Sequence, residues 1–265
     1  RGSVMGLGAA FLGSILAACG DDEDASPSTG GSTGAIKEGG TLRVASQRPG
    51  GPIDPVAMDN LGSYTIATTA FEYLCGKGEG AAIAPMLAES WSPNDDGSEW
   101  TFKLRSGVKW HDGTPFTAAD VVATLDRLSV GNLASYIEAG AGTAVDVTVT
   151  VKLLLADGQF PYQVSIWNPQ SRITPADYET GTTLDGRPSG TGPFKLEKYD
   201  IATGATFARN DDWWGGKPNL EKVDFVFSDD IATQSTGVLG GQADAIVLFA
   251  VVGGDALLSN PDVTV

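Results

Sequence analysis

Between Trp100 and Leu104 large apolar and polar residues alternate at period two, which sets Trp100, Phe102 and Leu104 on one face of a strand. Ser106-Gly107 turns the chain, and Val108 to Trp110 reads as a second short strand. His111-Asp112-Gly113 then supplies a tight turn whose Asp-Gly pair tolerates positive φ. Thr117 opens a helix. Its side chain can cap the free amides, Asp120 three residues on can reach back as in a capping box, and Val121, Val122, Leu125 and Leu128 form the buried stripe.

The same patterning extends along the chain. Tyr64 to Leu74 is expected to be a helix, and Ala144 to Leu155 a half-buried strand with Val145, Val147, Val149, Val151 and Leu153 on one face. A short helix is expected within Gly158 to Trp167, and another starting at Thr174-Pro175, with Thr174 as cap and Pro175 at the first helical position. Phe194 to Tyr199 and Ala205 to Arg209 suit paired strands around the Ala202-Thr203-Gly204 turn. Val223 to Phe227 is a strand, Asp229 to Leu239 a helix closed by Gly240-Gly241, and Ala243 to Leu248 a strand. Strands and helices thus alternate into an α/β chain with a mixed sheet and no internal repeat.

Ahead of these elements, Val4 to Ala18 is an apolar run too short to span a bilayer comfortably but suited to the core of a signal peptide. It ends in Leu16-Ala17-Ala18-Cys19-Gly20, a lipobox, so residues 1–18 are expected to be removed and Cys19 to carry lipid. With Arg1 at its head and no initiator Met, the run is expected to have lost its own start. Residues 19–38 are acidic and then Ser-, Thr- and Gly-rich, with too little apolar surface to offset the entropy of ordering, and are expected to be a flexible tether. The folded part is residues 39–265. A lipid and a tether would hold it at the outer face of a cytoplasmic membrane or in a periplasm. If Cys19 is lipidated, Cys75 has no partner for an intramolecular disulfide and is expected to be a small buried hydrophobe.

Charge narrows the partners. With 33 acidic against 17 basic residues the net charge is −16, which repels phosphate backbones. No basic stripe interleaves with aromatics, so nucleic acid is not expected as a partner. Catalytic chemistry finds little support either. The single histidine, His111, lies in a turn, no Gly-x-Ser-x-Gly elbow occurs, and one histidine with one free cysteine cannot build a zinc site. No phosphate-binding Gly-x-x-x-x-Gly-Lys run is present. Trp91, Trp100 and Trp110 are expected to pack the domain, with Trp213 and Trp214 mainly structural. No cofactor and no resident metal is expected.

The block Leu87-Ala88-Glu89-Ser90-Trp91, then Trp100-Thr101-Phe102-Lys103-Leu104-Arg105 and Val108-Lys109-Trp110-His111-Asp112-Gly113-Thr114-Pro115-Phe116-Thr117, resembles the signature of the family 5 extracellular solute-binding proteins. Gly39 to Ala45 resembles the family's first strand, and Gly190-Thr191-Gly192-Pro193-Phe194 with Arg209-Asn210 and Trp213-Trp214 its return to the same lobe. These are receptors of ABC importers for dipeptides, oligopeptides and nickel chelates. The resemblance implies a type II periplasmic-binding-protein-like fold of two lobes, of which this chain holds most of the first: a mixed sheet with a small α/β subdomain. The second lobe, with the acidic residue that anchors a peptide's amino terminus, would lie beyond Val265.

What the resemblance implies for function is a monomeric, lipid-anchored receptor that binds a peptide or similar small solute and hands it to ABC permease subunits, catalysing nothing. Two alternatives stand beside it: a nickel-chelate or oligosaccharide receptor of the same family, and an extracytoplasmic hydrolase. The ligand would lie in a cleft between the lobes. On the lobe present, the loop after the first strand is the first candidate, with Ser46, Gln47, Arg48, Pro49, Gly50 and Gly51 at the cleft mouth; Thr191 and Gly192 are further candidates.

Overall fold

The computed structural model describes residues 37–51, 53–56, 58, 60–179, 181–184, 189–247 and 251–264. The expected signal peptide, Cys19 and the tether up to residue 36 lie outside the described residues.

Two hydrophobic cores organise the chain. The first is built on a mixed five-stranded sheet of β1 (Thr41–Ser46), β8 (Phe194–Asp200), β9 (Gly204–Arg209), β10 (Lys222–Phe227) and β11 (Ala245–Ile246), in the order β11-β1-β10-β9-β8. β1 runs parallel to both neighbours, while β9 is antiparallel to β10 and to β8. Alternation along β10 buries Val223, Phe225 and Phe227, and Phe207 of β9 packs edge-on to Phe225 at 5.8 Å between centroids. Helix α1 (Leu61–Ala70) covers this face through Ile66, Ala67 and Ala70.

The second core belongs to a small α/β subdomain whose sheet has the order β4-β5-β7-β6, from β4 (Ala88–Pro93), β5 (Glu99–Leu104), β6 (Gly142–Val145) and β7 (Thr148–Lys152). As expected, Trp100, Phe102 and Leu104 all point inward from β5. They meet Val149 and Val151, the stripe of α2 (Ala118–Ser129) and the one-turn helix α3 (Phe160–Gln163). In α2, Val121, Leu125 and Leu128 are buried and Val122 is half-buried against the same core. The Asp120 carboxylate accepts from the Thr117 amide at 2.7 Å and from its hydroxyl at 3.0 Å, fixing the helix start. The two-stranded pair β2 (Cys75–Lys77) and β3 (Ile83–Pro85) leads from one core to the other. Of the remaining expectations, α4 (Ile231–Leu239) forms with Asp230 accepting from the amides of Ala232 and Thr233, and α5 (Val251–Leu258) follows it.

Five expectations are corrected. The first helix spans Leu61–Ala70 rather than 64–74, because Asn60 caps it by accepting from the Ser63 amide and Phe71 is already extended. Val108 to Trp110 forms a single bridge, Lys109 to Pro115, rather than a strand, since the turn at 111–113 closes too soon for further pairing. In place of one strand over 144–155, residues 142–152 form the β6–β7 hairpin. Asp146 takes φ 53° and Val145 pairs with Thr148, so Val145 faces away from Val149 and is 71% exposed. No helix starts at Thr174. Its hydroxyl contacts Thr124 and Arg127, and the Ala176 amide donates to Asp120 at 2.8 Å, so α2 already satisfies the groups a helix would have used. The last strand is confined to Ala245–Ile246, with Leu248 outside the described residues.

Candidate functional site

The three parallel strands β11, β1 and β10 share a carboxyl edge. Chains in open α/β sheets bind ligands outside that edge, where loops diverge and backbone groups lack sheet partners. β1 lies in the middle, and Ser46 at its end is paired with Phe227 at the end of β10. The loop leaving β1 holds the six residues nominated from sequence. Ser46 is buried, its carbonyl accepting from Ser228 at 3.0 Å. Gln47 and Gly50 are exposed, Arg48 and Gly51 half-buried, and Pro49 buried.

This loop is braced from behind. The Gln47 carbonyl packs so closely on Gly62 in the first turn of α1 that a Cβ there would overlap it. Asn60, the cap of the same helix, donates from Nδ2 to the Arg48 carbonyl at 2.9 Å. Arg48 Nε lies 3.3 Å from Oδ2 of Asp229, in the loop leaving β10. Gln234 holds that second loop by donating to the Ser228 carbonyl at 2.6 Å. The edge therefore presents exposed Gln47, a cation and a carboxylate on a fixed frame. Ser228 and Asp229 were not singled out from sequence, although their place directly after the Val223–Phe227 strand was the available signal.

Thr191 and Gly192 are placed elsewhere. Gly192 donates its amide to the Ala70 carbonyl at 2.9 Å, at the far end of α1 from Gly62. Eight residues of helix separate the two points by about 12 Å. Thr191 is buried, and the Gly192 carbonyl accepts from Asn210 at 3.1 Å and meets His111 Nε2 at 3.0 Å. His111 Nδ1 accepts from the Gly190 amide at 3.2 Å. Both ring nitrogens are thus turned to backbone, an arrangement suited to packing a turn and not to activating a nucleophile. A small pocket lined by Pro55, Phe71, Pro175, Tyr178, Leu184 and Ser189 contains none of the edge residues.

Between the cores run two buried charges that sequence reading passed over. Arg172 is fully buried and donates to the carbonyls of Pro169 and Tyr64 and to the Thr68 hydroxyl, without a carboxylate partner among the described residues. Desolvation lowers its pKa from the usual guanidinium value. Glu72, just past α1, is 2% exposed and accepts from the indoles of Trp213 and Trp214. Burial pushes its carboxyl up to about 7, against the opposing hydrogen bonds and the Arg105 charge. Cys75 is buried and its thiol is pushed up to about 12 by desolvation, in keeping with a hydrophobe. Among the described residues, no three His, Cys, Asp or Glu side chains are grouped to hold a metal ion.

Residues 82–265 match the family model of the bacterial extracellular solute-binding proteins, family 5. The chain belongs to this family. Among relatives, it is 30% identical over 184 residues to the nickel-binding periplasmic protein of Escherichia coli strain K12, covering 62% of this chain and 33% of that one. It is also 30% identical over 191 residues to the glutathione-binding protein GsiB of the same strain, covering 69% and 37%. Among solved structures, the nickel ABC transporter protein of Bacillus halodurans superposes with a TM-score of 0.69 at 27% identity, covering 83% of this chain and 46% of that one. The periplasmic binding protein DppA of Helicobacter pylori, in complex with peptide STSA, gives a TM-score of 0.73 at 22% identity, covering 86% and 50%, which speaks to the fold. The family 5 chain spans about a third of the length of these curated relatives and half or less of these structures. The type II periplasmic-binding-protein fold is thereby established, with the five-stranded sheet and the small subdomain making up part of one lobe.

Proposed function

We propose that this solute-binding protein is the receptor of an ABC importer, lipid-anchored through Cys19 on the outer face of the membrane, which binds a peptide or similar small solute and delivers it to the permease. The observation that carries the reading is the carboxyl edge of β11-β1-β10. There a family 5 lobe offers the braced Ser46–Gly51 loop opposite Asp229. Gln47 and the loop backbone supply hydrogen bonds to an extended ligand, and Arg48 and Asp229 supply one charge of each sign. Thr191 and Gly192 serve the lobe as packing at the other end of α1. The protein acts as a monomer, without cofactor and without catalysis.

Titration calorimetry with a panel of di- to pentapeptides, a nickel chelate and an oligosaccharide tests this directly. Heat with peptides alone is the expected result, and heat with the oligosaccharide alone overturns it. The similarity to two nickel proteins favours the nickel chelate as second reading. Mass spectrometry of membrane-extracted protein checks the anchor: an unmodified Cys19 rejects it.

A further inference from the structure

Glu72 stands where the two cores meet, and every side of it is accounted for by a different element. Its carbonyl accepts from the Ile173 amide at 2.9 Å. Its side chain faces the loop after β9, where Trp213 Nε1 donates to Oε1 at 3.2 Å and Trp214 Nε1 donates to Oε1 and Oε2 at 3.1 and 2.9 Å. The two indoles pack against each other at 5.3 Å between centroids. Arg105, at the end of β5, lies 4.0 Å over the Trp214 ring and is held there by donating from Nε to the Met86 carbonyl at 3.0 Å. The Thr191 hydroxyl adjoins the carboxyl as well and has no other hydrogen-bond partner among the described residues.

The remaining charged and titratable neighbours are turned away. Arg172, one residue before Ile173, sends its guanidinium to Tyr64 and Thr68. His111 engages the backbone of Gly190 and Gly192. Tyr73 donates to the Pro169 carbonyl at 3.4 Å. Glu72 forms no ion pair among the described residues. A carboxylate buried without an ion pair is costly even with the Arg105 charge nearby, and a neutral carboxylic acid in the same place needs one acceptor for its proton. The Thr191 hydroxyl beside the carboxyl can donate to the ionised form or accept from the protonated one, so either protonation state has a partner within reach.

We propose that Glu72 is a proton-binding switch at the joint between the sheet and the small subdomain. Ionised, it clasps both indoles. On taking one proton from solvent, it donates that proton to Thr191 Oγ1 and gives up part of its hold on Trp214. The direction of its pKa shift, up to about 7, agrees with a switch that operates around neutrality.

Infrared and tryptophan-emission titrations of the full chain test the switch. Of the 33 carboxylic side chains, ordinary ones are ionised well below about pH 6, so a protonated-carboxyl stretch surviving there isolates a raised group. The expected result is such a band, lost together with an emission step centred near pH 7, both absent in Glu72→Gln and both retained in His111→Gln. Should Glu72→Gln fail to fold, Trp213→Phe decides: removing one donor to the ionised form must move the midpoint to higher pH. A featureless titration, a step surviving in Glu72→Gln, or an unmoved midpoint in Trp213→Phe overturns the proposal.

Discussion

The indole of Trp214 donates to both carboxylate oxygens of Glu72, at 3.1 and 2.9 Å, across the junction of the two cores. The aromatic pair of the 210–217 loop is therefore anchored by an acid from the end of α1, and the charge of that acid enters the stability of the whole lobe.

Folded Glu72 has a pKa near 7, raised from 4.5 by burial. Its contribution to stability is therefore fully present below about pH 4.5 and is lost as pH rises to about 7, by about 3 kcal/mol on an order-of-magnitude estimate. Urea denaturation across this window should show that fall superimposed on the usual carboxylate titrations. Glu72→Gln should remove it and unfold with the same midpoint at about pH 5 and pH 8, apart from those background titrations.

Gly190 lies so close to the Ala70 carbonyl that a Cβ would overlap it. Gly190→Ala should cost about 2 kcal/mol or more, since both sides of the contact are backbone. Gly237, within α4, has nothing within 4 Å of its would-be Cβ. Gly237→Ala should stabilise by about 0.5–1 kcal/mol through lost freedom of the unfolded chain. Thermal melts of the two variants should shift in opposite directions.

Phe102 is fully buried and meets Phe160 edge-on at 6.4 Å. Phe102→Ala should cost about 3–5 kcal/mol, read from denaturant midpoints with an unchanged slope.

Arg48 and Asp229 form an ion pair whose side chains are 40% and 67% exposed. Such a pair adds about 0–1 kcal/mol to stability. Arg48→Ala should leave the melting temperature nearly unchanged while weakening solute binding about tenfold, equivalent to about 1.4 kcal/mol. Calorimetry beside thermal melts checks both halves, and unchanged affinity would remove Arg48 from the candidate site.

Much of this lobe was legible along the chain. Period-two alternation placed β5, β9 and β10, and the Thr117–Asp120 spacing gave the start of α2, because these signals depend on neighbours two to four residues apart. The same locality explains the misses. The valines from 145 to 151 keep an unbroken alternation through a two-residue turn, and only pairing of Val145 with Thr148 shows that the faces exchange. Thr174-Pro175 carries a sound helix start whose groups are taken by α2, some fifty residues away in sequence.

The sequence by itself determined the family, the strand faces and the loop after β1, since each rests on short-range pattern or an ordered motif. Tertiary structure alone decided that Thr191 and Gly192 lie at the opposite end of α1 from that loop, that Asp229 stands beside Arg48, and that Glu72 and Arg172 are buried between the cores. Those relationships join residues from about 100 to about 180 positions apart. Burial and proximity at such separations follow from how the sheet and the subdomain pack together, which no local spacing encodes.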